Sequence, residues 1–114
     1  MTQTAALTLS IAIEAVLAFA LVRGLRWGGG IRAALAATVG TLITHPCVWY
    51  AVPRLEDPIG YASAVALVES GVVLAESVAY RLIVPLPWRR ALVASLIANA
   101  ASTAAGLLYY SLFV

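Results

Sequence analysis

"AALTLSIAIEAVLAFALV" (residues 5–22) carries one charged side chain, Glu14, in a run that is otherwise apolar or hydroxyl-bearing. A helix crosses a bilayer with ~20 such residues. Around Glu14 the helix is apolar apart from the hydroxyls of Thr8 and Ser10, too few to make a polar face for water. The stretch therefore predicts a membrane span with a carboxylate to account for. Working outward, three more apolar runs meet the same length, near Ala33–Val52, Gly60–Val84 and Ala91–Phe113. Together they take up most of the 114 residues, which predicts an all-α integral membrane four-helix bundle forming one domain, 1–114.

Composition agrees. The chain is 63% hydrophobic and 11% charged, with a mean hydropathy of +0.98, too few polar residues to clothe a soluble domain. Its seven basic residues are all arginine and flank the spans. They form no stripe interleaved with aromatics, so a nucleic-acid partner is not expected. The first span has its arginines after the apolar run and an acid within it, the reverse of a cleavable leader, and is expected to be retained. Cys47 is the only cysteine, which leaves no intrachain disulfide and suggests a small packing residue.

The arginines predict an orientation. Arg23, Arg26 and Arg32 flank the first connection, and Arg81, Arg89 and Arg90 the third. The second, "PRLEDPIGY" (53–61), has Arg54 against Glu56 and Asp57. Positive charge in short loops stays inside, so connections one and three are expected in the cytoplasm and both termini outside an inner (cell) membrane. Trp27 and Trp88 mark the inner boundary; Trp49, Tyr50, Tyr61, Tyr109 and Tyr110 mark the outer one.

The two halves resemble each other. Glu14-Ala-Val matches Glu76-Ser-Val, and "RAALAATVGTLIT" (32–44) matches "RALVASLIANAAS" (90–102), setting Thr41 and Thr44 against Asn99 and Ser102. The chain is thus read as two tandem helical hairpins, each bringing one membrane carboxylate and two polar residues on one helix face.

Chemistry is expected where ionisable groups enter the spans. A charged side chain at the bilayer centre costs ~2.5–3.5 kcal/mol, so Glu14, Glu69 and Glu76 together would cost ~7–10 kcal/mol if ionised against lipid. They should face the bundle interior, with Glu69 and Glu76 on one face a heptad apart. His45 precedes Pro46, which removes a helix hydrogen bond to Leu42 and predicts a kink that turns the imidazole into a gap, with Thr41 and Thr44 supplying hydroxyls to freed carbonyls. Asn99 and Ser102 complete the candidate set. Two small-residue stripes, Ala94-Ala98-Ser102-Gly106 and Ala36-Gly40-Thr44, allow close helix packing and offer an oligomer seam.

The stretch Thr44-His45-Pro46, with Trp49, Pro53, Glu69, Glu76 and Asn99-x-x-Ser102, resembles a group of small uncharacterised bacterial four-span membrane proteins across most of the chain. That resemblance implies a multi-pass membrane protein of unassigned role; the group's pattern has Asn where this chain has Thr41. The residues themselves predict a small transport or binding unit for a proton, cation or small polar solute, with no cofactor. Two other classes stay open. One is an accessory or assembly subunit, homo-oligomeric or docked on a membrane complex; the other is a metal-dependent membrane enzyme using His and Glu ligands.

Overall fold

Large apolar side chains lie on the outside of this protein and small ones lie within, the inverse of a water-soluble bundle. A computed structural model describes residues 2–113. Within it are four α-helices: α1 (Gln3–Gly24), α2 (Gly30–Ile59), α3 (Tyr61–Ile83) and α4 (Trp88–Phe113). All four are long and apolar enough to cross a membrane, and the chain is a multi-pass membrane protein by that measure. In lipid each backbone N–H and C=O must be satisfied within the segment, so an unbroken apolar run becomes a helix.

The helices form a ring in chain order. Each packs on its sequence neighbours, and α4 closes back on α1. Short connections make neighbours antiparallel, so α1 and α3 run parallel across the bundle axis, as do α2 and α4. The arginine-bearing ends of all four helices gather at one end, the arginine end. The start of α1, the end of α4 and the α2–α3 turn lie at the other, the terminal end. The longest dimension is 42 Å, enough to exceed a hydrocarbon core of ~30 Å.

Alanine makes the seams. Ala18, Ala33, Ala36, Ala37, Ala91 and Ala94 are fully buried, while Ile31, Leu42, Ile43, Leu74, Leu96 and Leu112 face outward. Small side chains let helix backbones approach, and that packing stands in for the hydrophobic effect where the solvent is itself apolar. Five members of the two small-residue stripes serve here: Ala36, Gly40, Thr44, Ala94 and Ala98 are buried within the single chain, while Ser102 and Gly106 are half-buried.

Three local features differ from the sequence-based expectation. Helix α2 continues through Pro53 and Pro58 to Ile59, and the turn into α3 shrinks to Gly60 alone. Gly60 has φ +86° and ψ 157°, a conformation open in practice only to glycine. Helix α2 also continues through Pro46, so His45 keeps a helical backbone, and its side chain lines the polar cavity described below. The nearby hydroxyls go elsewhere, as described below. Cys47 is exposed, its thiol directed at the Ile43 carbonyl (3.6 Å), and is not a buried packing residue.

Candidate functional site

Glu14 on α1 and Glu76 on α3 meet across the bundle axis. They are 2% and 1% exposed, as buried as the alanines around them. Their partners are neutral. Thr41 donates its hydroxyl to Glu14 Oε2 (3.2 Å), and the Thr44 hydroxyl lies 2.9 Å from Glu76 Oε2. Thr44 Oγ is equally close, 2.9 Å, to the Gly40 carbonyl one turn back. The two carboxyl groups are within hydrogen-bonding reach of each other, and Glu76 is within reach of the Asn99 amide. One oxygen on each carboxyl, Oε1, has no hydrogen-bond partner among the described residues.

Local structure explains why these groups fit. Thr41 and Thr44 are three apart on α2 and so share one helix face. Gly40 leaves the room that Glu76 occupies: a Cβ there would lie 2.9 Å from Glu76 Cγ. Asn99 is oriented by its own helix, donating from Nδ2 to the Ser95 carbonyl (2.8 Å) and reaching Ser95 Oγ at 3.3 Å. Ser95 in turn donates to the Val73 carbonyl (2.7 Å), tying α4 to α3. The Glu14–Thr41 and Glu76–Asn99 pairings occupy matching places in the two hairpins, and Glu14 and Glu76 are themselves the matching carboxylates.

A cavity of about 30 Å³ lies beside this pair. It is lined by all six residues expected to form a pathway: Glu14, His45, Glu69, Glu76, Asn99 and Ser102. That is room enough to hold a water beside several polar partners. Toward the terminal end it adjoins a wider cleft of about 380 Å³, with Ser10, His45, Glu69, Ser102 and Thr103 on the walls of both. Trp49, Tyr61, Tyr109 and Tyr110 stand around the mouth. His45 is half-buried, with Nε2 unpartnered and its ring 6.2 Å from that of Trp49. Glu69 is half-buried one heptad from Glu76 and within hydrogen-bonding reach of Thr103.

The arginine end is closed. Ala18, Val22, Ala37, Tyr80, Val84 and Leu86 pack there as one buried cluster, with Trp27 against it. Outside the cluster Arg90 lies over the Trp27 ring (5.3 Å) and Arg81 over Trp88 (5.4 Å). The bundle is thus a cup: open at the terminal end, narrowing past His45 and Glu69, and ending at two carboxyls.

Several polar residues at the site escape a sequence reading. Ser10 lies one turn before Glu14 and pairs with Ser102 (Oγ to Oγ, 3.0 Å), joining α1 to α4. Thr103 and Ser95 contribute as described, and Tyr80 is fully buried with an unpartnered hydroxyl. The available signal was helical spacing, for Ser10 and Ser95 each precede a candidate by four residues. Among the described residues no three His, Cys, Asp or Glu side chains come together as a metal-holding group. Comparison with protein-family models, with curated proteins and with solved structures finds no match to this chain.

Proposed function

We propose that this protein is a small transport or binding unit of an inner (cell) membrane, acting on a proton, a cation or a small polar solute. One observation carries the reading: the ionisable residues of three separate spans converge on a single small polar pocket at the foot of an open cleft. Side chains that merely join helices need not share a cavity, and uncharged ones serve that purpose at lower cost. Six arginines stand at the closed end against Arg54 at the open one. By the positive-inside rule the closed end is cytoplasmic, both termini are outside, and the cleft opens outward. Transport then requires a second state in which the alanine-lined seams at the arginine end part while the mouth closes.

A second reading is favoured by a separate feature. Between α3 and α4 lies an outward-facing groove of about 650 Å³, mostly apolar, with Glu69, Asn99 and Thr103 at its base. An accessory subunit, or a homo-oligomer, would seat a partner helix there, since polar groups facing lipid favour interhelical contact. The difficulty of sheltering acids does not by itself call for an assembly, because Glu14 and Glu76 are buried within one chain.

Purified protein in liposomes separates the two readings. Transport predicts movement of protons, alkali cations or a small polar solute above that of protein-free vesicles. A protein that moves none of these, yet co-purifies with another membrane chain, supports the subunit reading.

A further inference from the structure

Among the described residues, Glu14 and Glu76 are the two fully buried acids, and they face each other without a countercharge. The groups around it can be counted from every helix. Helix α1 brings Glu14 itself. Helix α2 brings His45 with the neutral Thr41 and Thr44, and α3 brings Glu69 and Tyr80. Helix α4 brings no charged group, only Asn99, Ser102 and Thr103. Every arginine lies at one end of the bundle or the other.

Two ionised carboxylates cannot occupy that space in contact. Both are acceptors only, and like charges in a site of low dielectric repel strongly. A hydrogen bond between two carboxyl groups needs a proton on one of them. The rest of the site offers no substitute. Thr44 has a single hydroxyl proton for two acceptors, Glu76 Oε2 and the Gly40 carbonyl, each at 2.9 Å. One Oε1 on each acid is left without any donor.

We propose that Glu14 and Glu76 hold one shared proton, and that the species entering this cup is a proton handed down from Glu69 and His45. This rests on the pocket being a transport or binding site, and it names the ligand. The transfer balances simply. A proton taken from the terminal side by Glu69 passes through the small cavity to the carboxylate of the pair, and Glu69 is left ionised to take up another. Only O–H bonds, and an N–H bond where the His45 imidazole carries the proton, are made and broken. Shared, the proton ties α1 to α3 across the axis and keeps the arginine end packed. Lost, it leaves two like charges that push these helices apart at the level just above the seal.

Infrared spectroscopy of the protein in lipid tests this directly. At about pH 8, where an ordinary carboxyl is fully ionised, the folded wild type should keep a protonated-carboxyl C=O band that shifts in D₂O. Glu14→Gln and Glu76→Gln should each remove it while the fold survives, because an amide N–H takes the place of the shared proton. Thr44→Val should move the band without abolishing it. This variant serves if neither glutamine variant folds. A folded wild type with no such band overturns the proposal, as does a band unmoved by all three substitutions. Loss of the band on adding sodium at constant pH assigns the site to that cation instead. Proton flux in liposomes is scored separately. A band without flux keeps the pair and removes transport, and flux without the band does the reverse.

Discussion

Glu76 is held by what surrounds it as much as by what it bonds to. Gly40 passes so close that an added methyl group would meet its Cγ at 2.9 Å. Gly40→Ala should therefore displace the Glu76 side chain and lower stability by about 1–3 kcal/mol, the usual effect of overpacking, read as a fall in the thermal unfolding midpoint in mild detergent. Thr44→Val should lower it by about 1–3 kcal/mol, since a buried carboxyl oxygen then loses a partner 2.9 Å away, and Thr44→Ser should restore most of that. At this scale the sequence is informative for a physical reason. A carboxyl or amide in an apolar span is too costly to face lipid, so Glu14, Glu76 and Asn99 had to point inward. Ser10 and Ser95 carry no such constraint, because a serine in a helix can bond its own backbone, and only their spacing from Glu14 and Asn99 marks them.

Among the elements, α4 shows how helix faces are used. Ala94 and Ala98 are buried against the chain's own helices, and Ala100 faces outward. Ala98→Leu should consequently destabilise the monomer by about 1–3 kcal/mol, whereas Ala100→Leu should stay within about 0.5 kcal/mol of wild type. If Ala98→Leu instead left stability intact and changed only the particle mass, α4 would be an oligomer seam after all. The four helices were legible as apolar runs, since length and hydropathy are properties of the run itself. The end of α2 was not. Pro53 and Pro58 read as loop residues, yet the helix passes through both and stops at Gly60, where φ is +86°. A helix tolerates a missing N–H where the freed carbonyl finds another partner, and sequence alone does not say where that is.

The molecule as a whole is a cup closed by alanine, tyrosine and leucine at the arginine end and ringed by aromatics at its mouth. Its use depends on which way it faces. In a Cys47→Ser background, single cysteines at Asp57 and Gly29 should respond differently to an impermeant thiol reagent added to intact cells. Asp57→Cys should be labelled and Gly29→Cys should not. The opposite pattern would turn the cup toward the cytoplasm. The folding of three spans' ionisable groups into one pocket could not be read from the sequence, because it depends on the ring order of the helices. Once α1 and α3 stand diagonally, matching positions in the two hairpins fall opposite each other across the axis.

The central claim is that this pocket is a functional site and not a set of polar joints. The most direct test is proton or cation flux into proteoliposomes for the wild type and for Glu14→Gln, Glu69→Gln and Glu76→Gln, with thermal stability followed on the same samples. An amide keeps the hydrogen-bonding capacity of a carboxyl and removes its titration, so a joint survives the change and a carrier of protons or cations does not. The account predicts measurable flux in the wild type, at least a tenfold loss in each variant, and unchanged or raised stability in all three. Wild-type flux retained by the three glutamine variants, or no flux in the wild type while the variants remain equally stable, would contradict it.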